Sequence, residues 1–116
     1  MSHRSIDIVD FNTDVIETSH HDYVLVDFWA DWCAPCAALT RTLEDLVDES
    51  RTSFVLAKFD VSHDRESAAK LGVDGLPAVQ LYHNGQILDA FSGALPRRTI
   101  RAFLDRNMRG SCESCS

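Results

Sequence analysis

The sequence lacks the features that define several other classes of protein. No apolar run approaches the roughly 20 residues of a membrane span, and the first residues, MSHRSIDIVDF, lack the apolar core of a signal peptide. Lysine and arginine number 11 against 18 acidic residues, a net charge of −7, so no nucleic-acid surface is expected. Glycine-rich dinucleotide loops are also absent. We therefore expect a cytoplasmic protein without membrane or nucleic-acid partners and without a bound cofactor.

The apolar pattern predicts an α/β domain over residues 1–108. YVLVDFWA and FVLAKFDV are apolar on both faces, which is typical of buried parallel strands covered by helices. Residues 35–50, 64–71 and 97–108 show helical spacing, and Asn84-Gly85 joins two strands as a hairpin. A short strand and a short helical segment near Val15 precede them. This order predicts a three-layer α/β/α sandwich around a mixed sheet, followed by a flexible tail over residues 109–116.

The stretch FWADWCAPC places Cys33 and Cys36 at the start of the first long helix. Pro35 suits the first helical turn, where its missing N–H would have no partner. Residues three apart on a helix share a face with Cα atoms about 5 Å apart, so a disulfide can open and close without backbone movement. The free N–H groups at the helix start stabilise a thiolate. We expect Cys33 to be the attacking thiol and Cys36 the buried resolving thiol.

Two other interpretations of this pair are possible. A structural zinc site would need two further ligands, and only scattered histidines or the tail pair Cys112 and Cys115 are available. Alternatively, both thiols could act as small buried apolar groups. The strand-turn-helix context favours a redox dithiol over either, so no metal is predicted.

Asp27 and Lys58 each interrupt a buried strand. An apolar environment raises the pKa of a carboxyl toward neutrality, which suits an acid/base that exchanges a proton with Cys36. Lys58 on an adjacent strand would offset the charge of Asp27. The alternative is that both side chains point to solvent at strand edges.

The chain resembles the thioredoxin family over residues 6–108. The segments VLVDFWADWCAPC, AKFDV, LGVDGLPAVQLYHNGQIL and FSGALPRRTIRAFL occur in the order and spacing of that family. The resemblance implies a protein-disulfide reductase with a redox-active Cys33–Cys36 disulfide, Asp27 as acid/base and Lys58 beside it. It also implies a cis Leu76–Pro77 bond that frees the Leu76 backbone to pair with an extended substrate segment. The substrate-binding surface would comprise Trp32, Ala34, Pro35, Gly75, Leu76, Pro77 and Gly93.

Four positions depart from the commonest pattern of that family. Ala34 replaces a usual glycine, Ala37 a frequent basic residue, Arg41 a frequent kinking proline and Ala78 a frequent threonine. Loss of the cation weakens thiolate stabilisation slightly, and the altered dipeptide between the cysteines affects the reduction potential.

The tail SCESCS carries a second cysteine pair outside the pattern of the family. Glu113 lies between Cys112 and Cys115 and opposes thiolate formation in both. The resemblance implies that the last helix leads away from Cys33, so we expect these accessory redox thiols to act between two molecules, if they are more than incidental residues of a disordered end.

The expected partners are disulfide-containing proteins and, by the resemblance, a thioredoxin-reductase-like flavoprotein that supplies electrons. We expect a monomer or weak dimer. Two alternatives stay open: a binding module or chaperone-type partner whose redox turnover is secondary, and a more oxidising oxidase or isomerase.

Overall fold

The computed structural model describes residues 4–49 and 54–113, the last five by their backbone only. Five strands form one sheet in the order β1-β3-β2-β4-β5. The strands are β1 (Ser5–Asp7), β2 (Tyr23–Trp29), β3 (Phe54–Asp60), β4 (Ala78–His83) and β5 (Gln86–Ser92). The helices are α1 (Ala34–Glu49), α2 (Arg65–Lys70) and α3 (Arg97–Glu113). No helix in these ranges is long and apolar enough to cross a bilayer.

The sheet is mixed, as predicted. Strands β1 and β2 flank β3 in parallel, whereas β4 pairs with β2 and β5 in antiparallel orientation. Only a crossover can join parallel neighbours, and α1 supplies it between β2 and β3. The hairpin prediction is also confirmed, because Asn84 and Gly85 adopt positive φ angles of 55° and 78° between β4 and β5.

Two apolar clusters cover the two faces of the sheet. Leu25 of β2 packs with Leu39 and Leu43 of α1 and with Ile100 of α3. Its neighbours along the strand, Val24, Val26 and Phe28, pack in the opposite cluster with residues of the N-terminal segment and α2. Side chains alternate along a strand, so Asp27 shares the α1 face with Leu25. The predicted three-layer sandwich is confirmed.

The helix termini differ in part from the predicted ones. Asp64 caps α2 by accepting a 3.1 Å hydrogen bond at Oδ1 from the Ser67 N–H. The pattern predicts that α3 ends at Met108, but the helix continues to Glu113, so residues 109–113 of the expected tail are helical. Gly110 lowers helix stability by only about 1 kcal/mol relative to alanine, which does not stop a helix already formed. Residues 114–116, including Cys115, lie outside the described residues.

The helical segment near Val15 consists of two irregular turns, a π-helical turn (Asn12–Glu17) and a 3-10 turn (Thr18–His20). Ser19, which is fully buried, joins them to the β4–β5 hairpin. Its Oγ donates to the Ile16 carbonyl at 2.6 Å and accepts from the Gly85 N–H at 2.8 Å. Its carbonyl accepts from the Asn84 N–H at 2.8 Å. One hydroxyl thus satisfies groups in two distant segments.

Replacement Ser19→Ala should lower the free energy of unfolding by about 1–3 kcal/mol, since the partly buried Gly85 N–H loses its acceptor. Urea unfolding followed by circular dichroism measures this change. Replacement of the exposed Ser92 by alanine is the matched control and should change stability by less than about 0.5 kcal/mol. Equal effects of the two substitutions would contradict the assigned role of Ser19.

Candidate active site

Cys33 and Cys36 form a disulfide across the first turn of α1, with their Cα atoms 5.4 Å apart. Cys33 lies just before the helix, and its carbonyl accepts from the Cys36 N–H at 3.1 Å. Cys33 is 9% exposed and Cys36 is 1% exposed, so the first sulfur is closer to solvent. Both pack with Ala30, and Trp29 and Leu76 cover this small cluster.

Asp27 lies in β2 beneath α1 and is fully buried. Its Oδ2 accepts a 2.5 Å hydrogen bond from the Thr40 hydroxyl of α1. Its Oδ1 is also buried and has no hydrogen-bond partner within the described part of the chain. Burial raises the pKa of Asp27 to about 6, against smaller lowering effects of Thr40 and Lys58. A carboxyl with this pKa exchanges protons readily near neutral pH.

Lys58 occupies the position of β3 directly opposite Asp27 in the parallel register. Its ammonium group, however, binds Glu44 of α1 at 2.8 Å and approaches Asp7 of β1 at 3.9 Å. The hydrogen bond to Glu44 is the main cause of the raised pKa of Lys58. Lys58 therefore forms its ion pair with Glu44 and not with Asp27. It lowers the pKa of Asp27 through a longer-range electrostatic interaction.

Sequence reasoning did not identify Thr40 and Glu44 as parts of this site. Both lie on the α1 face that begins at Cys36, at successive intervals of four residues. Residues at this interval follow one another on the same helix face, one turn apart. The spacing was visible in the sequence, and it would have revealed both residues once Asp27 was placed beneath the helix.

The predicted substrate-binding residues lie around the disulfide. Trp32 is 55% exposed, and Ala34 and Pro35 are exposed at the start of α1. The Leu76–Pro77 peptide bond is cis, as the resemblance implied. Gly93 adjoins it, since its N–H donates to the Pro77 carbonyl at 2.9 Å.

A groove of about 430 Å³ borders Trp32, Gly75 and Leu76 on the α2 side. The Arg65 guanidinium lies 5.8 Å from the centre of the Trp32 ring and forms part of the wall. The Trp32 indole N–H donates to the Ser62 carbonyl at 3.4 Å, which orients the ring. The groove beside the disulfide is thus largely apolar, with Arg65 and Asp74 as the charged side chains of its wall.

The side chain of Cys112 and the whole of Cys115 lie outside the described residues. Within the described part of the chain, no group of three or more metal-ligating side chains occurs. The role of the second cysteine pair stays a prediction.

Asp27 should make stability depend on pH in a defined direction. Its pKa is about 6 in the folded protein against an ordinary value of 3.8, so the folded state binds more protons between these values. Stability from this group is therefore lost as pH rises from about 4 to 6, by about 2 kcal/mol. Replacement Asp27→Asn removes this dependence, so its stability advantage over wild type should be about 2 kcal/mol larger at pH 7.5 than at pH 4.

Urea unfolding of the oxidised protein at both pH values tests the prediction. Asp89→Asn is the control, because hydrogen bonds lower the pKa of Asp89 and reverse the sign of its contribution. An Asp27→Asn advantage that is the same at pH 4 and pH 7.5 would contradict it.

Comparison with known proteins agrees with this geometry. The family model described as "Thioredoxin" matches residues 4–106. Thioredoxin C-2 of Corynebacterium nephridii is 36% identical over 99 residues, which cover 85% of this chain and 90% of that protein. Thioredoxin of Pseudomonas aeruginosa is 30% identical over 110 residues and covers 93% and 100% respectively.

A solved structure of a mutant thioredoxin from Halobacterium salinarum NRC-1 has a similar fold. Its TM-score is 0.77 at 25% identity, with 91% of this chain and 92% of that chain covered. This chain therefore belongs to the thioredoxin family of thiol–disulfide oxidoreductases, with a dithiol–disulfide redox function.

Proposed function

We propose that this protein is a protein-disulfide reductase in which Cys33 attacks the substrate and Cys36 resolves the mixed disulfide. The observation that carries the proposal is the position of the pair across the first turn of α1, with Cys33 nearer to solvent than Cys36. The unpaired N–H groups at this helix end stabilise the attacking thiolate. The geometry therefore favours the outer sulfur as nucleophile.

In the first step, the Cys33 thiolate attacks one sulfur of a substrate disulfide. The substrate S–S bond breaks, its other sulfur leaves as a thiolate that takes up a proton, and a mixed disulfide forms at Cys33. In the second step, Cys36 loses its proton and attacks Cys33 Sγ, releasing the second substrate thiolate. Two electrons pass to the substrate, and the Cys33–Cys36 disulfide remains.

Asp27 is the acid/base of this cycle. As a carboxylate it accepts the Cys36 proton during resolution, and in the reverse direction it returns a proton to the leaving Cys36 thiolate. Its pKa of about 6 allows both forms near neutral pH. Lys58 stabilises the carboxylate at longer range, since Glu44 holds its ammonium.

The substrate surface comprises Trp32, Ala34, Pro35, Gly75, Leu76, Pro77 and Gly93. Leu76 precedes β4 in the chain and lies outside its strand pairing, which begins at Ala78. An extended substrate segment can therefore pair with its backbone while an apolar side chain contacts Trp32. This docking would present a substrate disulfide to Cys33.

The electron donor is a flavoprotein of the thioredoxin-reductase type, and a cytoplasmic location follows from the reducing role. The binding-module alternative has no need for the acid/base Asp27 beneath the thiols. An oxidase or isomerase would use the same residues at a more oxidising potential. The potential is therefore the property that separates these functions.

The direction of α3 supports the proposal that the second cysteine pair acts between molecules. Phe91 of β5 contacts Phe103 of α3, and Asp89 earlier in β5 binds Asn107 later in α3, so the two elements are antiparallel. The Ser92 end of β5 lies beside Ala78, next to the active site. Helix α3 thus leads away from Cys33, and Cys112 follows Asn107 by about 7 Å of further helix.

Replacement Cys33→Ser should reduce insulin-disulfide reduction, driven by dithiothreitol, to the rate of dithiothreitol alone. Replacement Cys36→Ser should keep the first step but accumulate a mixed disulfide at Cys33, detected by mass spectrometry. Full turnover by Cys36→Ser, or an adduct on Cys36 in the wild-type protein, would contradict the assigned order of attack.

Equilibration with a dithiothreitol redox buffer should give a Cys33–Cys36 potential near the roughly −270 mV of thioredoxin. The double variant Cys112→Ser/Cys115→Ser should give the same value, because α3 leads away from the site. A markedly more oxidising value would favour the oxidase or isomerase. A potential that depends on the tail would place the second pair in the same site.

A further inference from the structure

Polar side chains on one face of α1 form hydrogen bonds with residues of two neighbouring strands, β2 and β3. Cys36, Thr40 and Glu44 follow one another at intervals of four residues, one helical turn apart. Thr40 bonds Asp27 of β2, and Glu44 bonds Lys58 of β3. The resolving sulfur, the buried carboxyl and the ion pair are therefore arranged in sequence along one helix.

The Thr40 hydroxyl distinguishes the two oxygens of Asp27. It donates to Oδ2 at 2.5 Å, while buried Oδ1 has no hydrogen-bond partner in the described part of the chain. A hydroxyl has one hydrogen to donate, so it fixes a single oxygen. The carboxyl is thereby held through Oδ2, and Oδ1 is left for proton exchange.

We propose that Thr40 is a positioning residue of this site, whose hydroxyl holds Asp27 Oδ2 on the α1 side and leaves Oδ1 to exchange the proton of Cys36, one helical turn away. This inference rests on the proposed acid/base function of Asp27. In this proposal Thr40 acts through Asp27, to which its hydroxyl donates.

The charged surroundings of Asp27 come from three other elements. Lys58 lies opposite it on β3, Glu44 reaches Lys58 from α1, and Asp7 reaches Lys58 from β1. On the fourth side, β4 presents Val79 in register with Asp27. Because Glu44 retains the Lys58 ammonium, Thr40 is the direct donor to the carboxyl.

The test compares wild type with Thr40→Val, which keeps the shape of the side chain, and Thr40→Ser, which keeps the hydroxyl. The first measurement is the pH titration of the Asp27 carboxyl carbon by ¹³C NMR. A lost donor to the carboxylate disfavours the charged form, so Thr40→Val should move the midpoint up by about one pH unit, a tenfold change in proton affinity. Thr40→Ser should titrate within a few tenths of a unit of wild type.

The second measurement is the rate of opening of the Cys33–Cys36 disulfide by dithiothreitol, followed by tryptophan fluorescence and divided by the dithiothreitol thiolate concentration. In this direction the thiolate attacks Cys33, and Asp27 protonates the leaving Cys36 sulfur. The rate should fall above the Asp27 midpoint. For Thr40→Val the fall should move to higher pH and the low-pH plateau should drop roughly tenfold, within the 10²- to 10⁴-fold contribution of a general acid.

Thr42→Val is the matched control, because the Thr42 hydroxyl donates to the Ala38 carbonyl of its own helix. Its titration and rate should equal those of wild type. If Thr40→Val does not fold, Thr40→Ala provides the same loss of the hydroxyl with less demand on packing.

Three outcomes separate the two proposals. A Thr40→Val protein that titrates and reacts as wild type, while Asp27→Asn is slow, overturns the role of Thr40 and leaves that of Asp27. Equal changes in Thr40→Val and Thr40→Ser also overturn it, because they indicate packing alone. An Asp27→Asn protein that opens its disulfide as fast as wild type at every pH overturns the acid/base function, and the role of Thr40 with it.

Discussion

The packing of α1 across β2 is the contact on which the other features of the site depend. Leu39 and Leu43 bury the helix against Leu25, and this contact fixes both its height and its rotation over the sheet. The same rotation brings Thr40 to Asp27 and places Cys36 against Ala30. Apolar burial thus positions α1, contributing about 25 cal/mol for each Å² removed from water, and the polar groups form their hydrogen bonds in the resulting geometry.

The continuity of α1 is part of the same arrangement. Arg41 stands where the family frequently has a kinking proline, and it keeps the backbone N–H that proline lacks. The helix runs without interruption from Ala34 to Glu49. Residues before and after position 41 therefore belong to one continuous helix, and Cys36, Thr40 and Glu44 follow one another on one face of it. A kink at this point would turn Glu44 relative to Cys36.

Much of this arrangement follows from the sequence. The runs around Asp27 and Lys58 predicted buried strands, and the structure pairs the two residues in register. The sequence pattern did not predict the hydrogen-bond partner of Asp27, because the bond from Thr40 depends on the rotation of α1 over the sheet, which is a tertiary property. Lys58 was expected to offset the charge of Asp27 from an adjacent strand. It lies in register with Asp27, but its ammonium binds the closer and more exposed carboxylate of Glu44. The end of α3 was missed for a simpler reason: the apolar stripe ends at Met108 and Gly110 is a usual stop signal, yet the helix continues past both.

The disulfide lies between an exposed group of residues and a buried group of residues. On its outer side lie the exposed Trp32 and the cis Leu76–Pro77 bond, which belong to the proposed substrate surface. Inside it lie the fully buried Asp27 and the Thr40 hydroxyl that binds it. Under the proposed function, substrate recognition and proton transfer therefore lie on opposite sides of the disulfide. Substitutions of the outer residues would then change the choice of partner, and substitutions of the inner residues would change the intrinsic rate, independently of each other.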